Sequence, residues 1–297
     1  MRRTVEIPER IDLNYTIKGA KNPVMIGPNA NLWTTRTPIG TATMYMKRTG
    51  SSVEGTAWGD GAEWMLDQMP GVLGLRDCVD GFEPEGKVAQ AWVRRPFRLS
   101  RTDRPWDALF GAILGQKVQV TKAVQSRRAI ARRFGDPAPG PEIPGRIRGN
   151  VLPAPETIAG LGYSDLHPCG VERKRADILI RTAREMRRLD PLWSKEPPVI
   201  RARLERIRGI GPWTTNMVTA VAFGDPDAVP VGDYHIPNTV AWWLAGEPRA
   251  TDERMLELIE PYRGHRWRVL RMAKSSGSAP KYGARLSLTS DGLSRGR

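Results

Sequence analysis

The residues richest in chemistry lie between Leu204 and Asn238, in the stretch LERIRGIGPWTTNMVTAVAFGDPDAVPVGDYHIPN. It contains Gly209-Ile210-Gly211-Pro212-Trp213-Thr214, a tight glycine turn between two segments with helical apolar spacing. Glycine at 209 and 211 allows positive φ and close backbone approach. The turn's N–H groups and the start of the next helix are then open to an anion such as a phosphate. Ile210 between them would pin the turn to a core. This arrangement grips a nucleic-acid backbone without reading its bases. A plain helix–turn–helix connection also wants glycine, so the turn alone does not decide.

Asp233 comes next, preceded by Val-Pro-Val-Gly and followed by Tyr234, His235 and Pro237. An aspartate before a helix caps it, and proline in the first turn fits that role. The same placement suits a rigid carboxylate at the mouth of a cleft. Breaking an N-glycosidic bond develops oxocarbenium-like charge on the sugar. One fixed anion beneath the ring would stabilise that charge and orient the attacking water. Cap and catalyst are compatible.

The chain around this segment is 297 residues long with a formal net charge of +14, a surplus that folding does not require. Charge of that size points to a polyanionic partner, nucleic acid before an anionic membrane surface, although the excess of Arg over Lys also fits a genome bias. No apolar run is long enough to span a bilayer. The start, MRRTVEIPERIDLNY, lacks the apolar core of a secretory signal. Cys78 and Cys169 are isolated and offer neither a disulfide framework nor metal-ligand spacing, so a reducing cytoplasm is expected and no metal.

The pattern predicts an α+β fold in three parts. Residues 1–100 read as a mixed α/β domain with a small antiparallel sheet. Strands are expected at 41–46 and 52–58 around a turn at Gly50, with one or two more between Val5 and Ile17. A helix is expected between Gly61 and Leu73, interrupted by Pro70. Residues 101–274 form a mainly helical core. From Trp106 the spacing gives one long helix or two, with Arg127, Arg128, Arg132 and Arg133 on its polar side. A Pro/Gly-rich break spans Asp136 to Asn150. Further helices are expected at Pro155–Leu161, Arg173–Leu189, Pro198–Arg208, Thr214–Phe223, Asn238–Leu244 and Asp252–Ile259. Residues 275–297 read as a polar basic tail.

Gly209-Ile210-Gly211-Pro212-Trp213-Thr214 followed by Gly232-Asp233-Tyr234 resembles the helix-hairpin-helix (HhH-GPD) superfamily of DNA glycosylases. Within it, the chain is most similar to the alkylation-repair 3-methyladenine DNA glycosylase II branch. Ala112-Ile113-Leu114-Gly115-Gln116 resembles that family's first conserved helix, and Lys174-Arg175-Ala176 the helix ahead of its hairpin. The resemblance makes Asp233 the catalytic carboxylate. It puts Trp213, Met217, Tyr234 and His235 at the substrate pocket, and Gly209, Ile210, Gly211, Thr214, Gln116 and Lys117 on double-stranded DNA. It further implies a monomer at the nucleoid with no cofactor, save at most a monovalent cation at the hairpin. Base flipping would set the extruded base against Trp213, with Lys117 or Gln116 filling the gap. Trp213 also reads as a half-buried core residue, Trp242 and Trp243 as core, Lys117 as a solvated lysine on a helix face, and His235 as a hydrogen-bond partner of Asp233 or a surface histidine.

Lyase-competent members carry a lysine where this chain has Trp213, so the resemblance implies hydrolysis without strand cleavage. The iron–sulfur members' four C-terminal cysteines are missing. Met217, Lys117 and Lys274 depart from the branch, which has an aromatic, an apolar wedge and a tryptophan there. Those departures motivate a rival reading, a DNA-structure binder without chemistry. A bifunctional glycosylase/lyase is a third reading.

Overall fold

The computed structural model describes residues 1–20, 24–27, 30–141, 149–277 and 279–280, with the backbone alone for 24–27. Its N-terminal part holds β1 (Arg2–Glu6), α1 (Leu13–Lys18), β2 (Val24–Gly27), β3 (Ala30–Arg36), β4 (Thr41–Thr49), β5 (Ser52–Trp58) and α2 (Ala62–Val72). The strands pair antiparallel in the order β1-β5-β4-β3-β2. Period-two alternation puts Trp33, Ala42, Met44, Met46, Val53 and Ala57 on the face that α2 covers with Met65, Leu66 and Met69. Gly55 lets the helix come close, since a Cβ there would sit 2.6 Å from the Met69 sulfur. The hairpin turns at Gly50, in the left-handed region at φ +59.

Two expectations need correction. Only residues 2–6 of the N-terminal stretch form a strand, and Leu13–Lys18 is a helix. Asp12 caps it by accepting from the Tyr15 N–H at 2.9 Å. Pro70 does not interrupt α2, which continues through it to Val72.

The helical part comprises α3 (Gly86–Arg94), α4 (Pro105–Leu114), α5 (Val120–Phe134), α6 (Pro155–Ala159), α7 (Tyr163–Leu166), α8 (Arg173–Leu189), α9 (Pro197–Leu204), α10 (Pro212–Ala222), α11 (Ile236–Ala245), α12 (Asp252–Ile259) and α13 (Arg266–Ser276). One apolar cluster runs through it from Val88 to Ala273. The segment after Trp106 is two helices, divided at Gly115. Helix α4 is buried around nearly its whole circumference, through Trp106, Leu109, Phe110, Ile113 and Leu114, and packs against α8 and α10. The Pro/Gly-rich break is closed at its ends by Val151 N–H to Asp136 O at 2.8 Å and Ala138 N–H to Gly149 O at 2.9 Å. Residues 142–148 lie outside the described residues. Helix α13 takes in Ser275 and Ser276, and residues 281–297 of the expected tail fall outside the described set. Among the described residues, no helix is long and apolar enough to cross a membrane.

A buried ion pair fastens α13 to the segment after α2. Arg268, with its side chain 0% exposed, makes a two-pronged bond to Asp77, at 2.9 and 3.0 Å. Asp77 also accepts from the Leu99 N–H at 2.8 Å, and the guanidinium lies 5.6 Å from the rings of Phe82 and Trp92. Removing one partner strands a buried charge. We predict that Asp77→Ala lowers the unfolding free energy by about 3–5 kcal/mol. Denaturant titration checks this, and a midpoint equal to wild type would mean that the pair contributes nothing.

Candidate active site and nucleic-acid interface

The hairpin is built by helix ends that meet on a fixed platform. After α9 the chain turns through Ile207, whose carbonyl accepts from the Ile210 N–H at 2.9 Å. Gly209 is at φ +97, and a Cβ there would lie 2.5 Å from Ile178 of α8, so both conformation and space demand glycine. Gly211 is different. Its φ of −123 and ψ of −177 are extended, and a Cβ would meet nothing within 4 Å. The expected positive φ therefore holds at 209 and not at 211. The protein itself has no need of glycine at 211, and the bare backbone there faces outward.

Two side chains clamp the hairpin, and a third closes the neighbouring end of α4. Gln116 Nε2 donates to Gly209 O and to Thr214 Oγ1, both at 3.0 Å. Arg181 donates to Arg208 O at 2.6 Å, and buried Arg175 closes the end of α4 through Leu114 O at 2.9 Å. Ile210 and Thr214 are buried at 4% and 2% exposure. No side chain caps α10, so its first N–H groups are presented at the same end as Gly211. The carbonyls of Ile207, Arg208 and Gly209 each accept one hydrogen bond, from Ile210 N–H, Arg181 and Gln116 in turn.

Asp233 lies on the loop between α10 and α11 and is half-buried. Its Oδ1 accepts from the main-chain N–H groups of His235 at 2.8 Å and Ile236 at 3.0 Å. Its Oδ2 accepts from Trp213 Nε1 at 2.8 Å. The carboxylate thus caps α11 and is tied to the first turn of α10. His235 contributes its backbone, whereas its exposed ring stands edge-on to Tyr234 at 4.9 Å. Both readings of His235 thus find a counterpart, a main-chain hydrogen bond to Asp233 and a ring at the surface. Tyr234 is 84% exposed beside the carboxylate, and Met217, one turn along α10 from Trp213, is buried at 7%.

Trp213 is half-buried, with its outer ring edge against Gly115. Trp243 packs on the core, while Trp242 is 40% exposed. Lys117 is exposed in the turn between α4 and α5 at φ +54, so it does not stand on a helix face as expected. A left-handed non-glycine at such a tip is a strained conformation of the kind found at working surfaces. Gln116, the other expected wedge, is committed to the hairpin. Exposed Lys122, Arg128, Arg132 and Arg133 follow on α5. Arg127 is half-buried, and burial lowers its pKa against the opposing pull of Asp107. Sequence reasoning missed Ile178 and Arg181, whose roles depend on contacts far along the chain.

Residues 110–263 match the HhH-GPD superfamily of base excision DNA repair proteins, and the chain belongs to that superfamily. It is 28% identical over 177 residues to the DNA-3-methyladenine glycosylase of Bacillus subtilis (strain 168), covering 56% of this chain and 57% of that one. It is also 28% identical over 156 residues to DNA-3-methyladenine glycosylase 1 of Schizosaccharomyces pombe, covering 48% of this chain and 60% of the relative. The chain therefore spans little more than half the length of these relatives. The fold is shared with a 3-methyladenine DNA-glycosylase from Archaeoglobus fulgidus, at TM-score 0.76 and 18% identity over 92% of this chain and 98% of that one.

The two hairpin glycines make separable predictions. Gly209→Ala should destabilise the protein by roughly 1–3 kcal/mol through its positive φ and the collision with Ile178. Gly211→Ala should leave the melting temperature unchanged. Equal melting shifts for the two variants would contradict this assignment.

Proposed function

We propose that the chain is a monofunctional DNA glycosylase, which turns a damaged base out of double-stranded DNA and hydrolyses its N-glycosidic bond. The observation that carries this reading is the clamp on Asp233. Three N–H donors from two chain segments fix one carboxylate beside an exposed hairpin. A protein that only bound DNA would need the hairpin but not the indole bridge.

The geometry supports the following division of work. Gly211 and the uncapped start of α10 receive a backbone phosphate, and the outward cations of α5 add sequence-independent attraction. Lys117, on its strained turn, enters the space that the extruded nucleotide leaves, with a flexible stem and a cation in place of an apolar wedge. Asp233 faces the sugar and stabilises the positive charge that grows as the base departs, while it holds the attacking water. Being fixed beforehand, it needs little reorganisation during the reaction. An alkylated or otherwise modified purine is the favoured substrate, because the relatives are named for 3-methyladenine. A monomer acting on the nucleoid fits this reading.

Asp233→Asn should slow base release by about 10²–10³-fold, assayed as abasic sites on duplexes that each carry one modified base. DNA affinity should stay equal or rise slightly, and stability should fall by about 1 kcal/mol or less because Asn also caps. Retention of most of the excision rate would remove Asp233 from the chemistry.

The abasic strand should remain intact. Trp213 stands where an amine would be needed to form a Schiff base with the sugar. Borohydride added during turnover should therefore trap no covalent protein–DNA complex. A strong trapped band would make the protein a lyase and identify Lys117 or the N-terminal amine for testing.

A further inference from the structure

We propose that Asp252 is a positioning residue for Asp233, an inference that rests on the base-excision reading. The loop between α10 and α11 has no regular structure, yet it carries the carboxylate on which the reaction depends. Upstream it is anchored by Val229 N–H to Asn216 Oδ1 at 3.0 Å. Its last anchor before Asp233 is Gly232 N–H to Asp252 Oδ2 at 2.9 Å.

That anchor acts at the loop's most permissive point. Gly232 is at φ +87, and a Cβ on it would meet nothing. Nothing steric therefore limits how this residue turns. The Asp252 bond fixes the peptide plane on one side of Gly232, and the Asp233 side chain is fixed on the other. Without Asp252, the glycine would let the Asp233 backbone swing while its side chain still sought its donors.

The ordinary duties of an aspartate in this place are filled by its neighbour. Thr251 caps α12 by accepting from the Arg254 N–H at 3.3 Å. Asp252 instead turns back towards the loop, and its Oδ1 is buried without a hydrogen-bond partner among the described residues. A buried carboxylate oxygen left unsatisfied is a cost that helix capping does not explain. Contact with the loop that carries Asp233 does.

The test compares wild type, Asp252→Ala and Asp252→Asn. Three quantities are measured: single-turnover excision on an accepted duplex, affinity for a duplex with a tetrahydrofuran abasic analogue, and deuterium uptake over residues 224–236. Asp252→Ala should slow excision by roughly 10–10²-fold, the effect of a displacement of about 1 Å at a reacting group. Affinity should be unchanged and loop uptake should rise. Asp252→Asn keeps an acceptor for the Gly232 N–H and should restore both rate and protection. The inference is overturned if Asp252→Ala excises within about twofold of wild type, or if its rate and affinity fall together. Wild type that releases no base from any lesion would sink the base-excision reading. In that case unchanged loop uptake in Asp252→Ala would independently sink this one.

Discussion

Asp233 is held by two distant parts of the chain at once, and the helical core is arranged to let that happen. The bonds to its Oδ1 are local and would form wherever an aspartate caps a helix. The bond to its Oδ2 is not local. Trp213 sits in the first turn of α10, so α10 and the start of α11 must keep one fixed separation. That separation is set by apolar faces, with α10 packed on α4 and α11 on α12 and α13. The non-directional force of burial brings the helices together, and a few directional bonds fix the remaining freedom. Gln116 and Arg175 supply those bonds at the end of α4, and Arg181 supplies one at the turn.

The indole bridge also limits what Trp213 can do. Its N–H edge is spent on Asp233 and its outer edge lies on Gly115, so the ring cannot rotate to meet an arriving base. Any stacking must occur on a face already fixed in place. In the proposed function, a preset wall and a preset carboxylate would lose little freedom when a base arrives, which is how a rigid site gains rate.

Local signals were legible in the sequence and distant ones were not. Helices α8 and α12 have the bounds their spacing implies, and β4 and β5 meet at the glycine turn that their alternation marks. The hairpin and Asp233 stood out because their chemistry is written in adjacent residues. Helix α1 did not. It is too short to be stable alone, and Tyr15 anchors it by exchanging hydrogen bonds with Arg271 near the other end of the chain. Helix α13 was hidden for the same reason, since Arg268 and Arg271 look like surface residues until Asp77 and Tyr15 are brought to them. Gly211 shows the converse error. The glycine type there implies positive φ, whereas the backbone is extended.

The buried arginines also change how the net charge of +14 should be understood. A polyanion responds to cations it can reach, and several of this chain's cations are structural. Arg268 is spent on Asp77, Arg201 on Asp225, Arg175 on a helix end and Arg271 on Tyr15. Exposed Lys122, Arg128, Arg132 and Arg133 remain on α5, which begins just after Lys117, and Arg173 and Lys174 remain on α8, behind the hairpin. The arginines paired with Asp77 and Asp225 cancel against those carboxylates within the net charge, so what a polyanion meets depends on where the remaining exposed cations stand. Each phosphate that these side chains neutralise releases counterions, so attraction grows with reachable cations and not with net charge. In the proposed function, sequence-independent attraction would deliver the duplex to the hairpin. In the same proposed function, discrimination between bases would then fall to the few ångströms around Trp213 and Asp233, where the positions are fixed by hydrogen bonds.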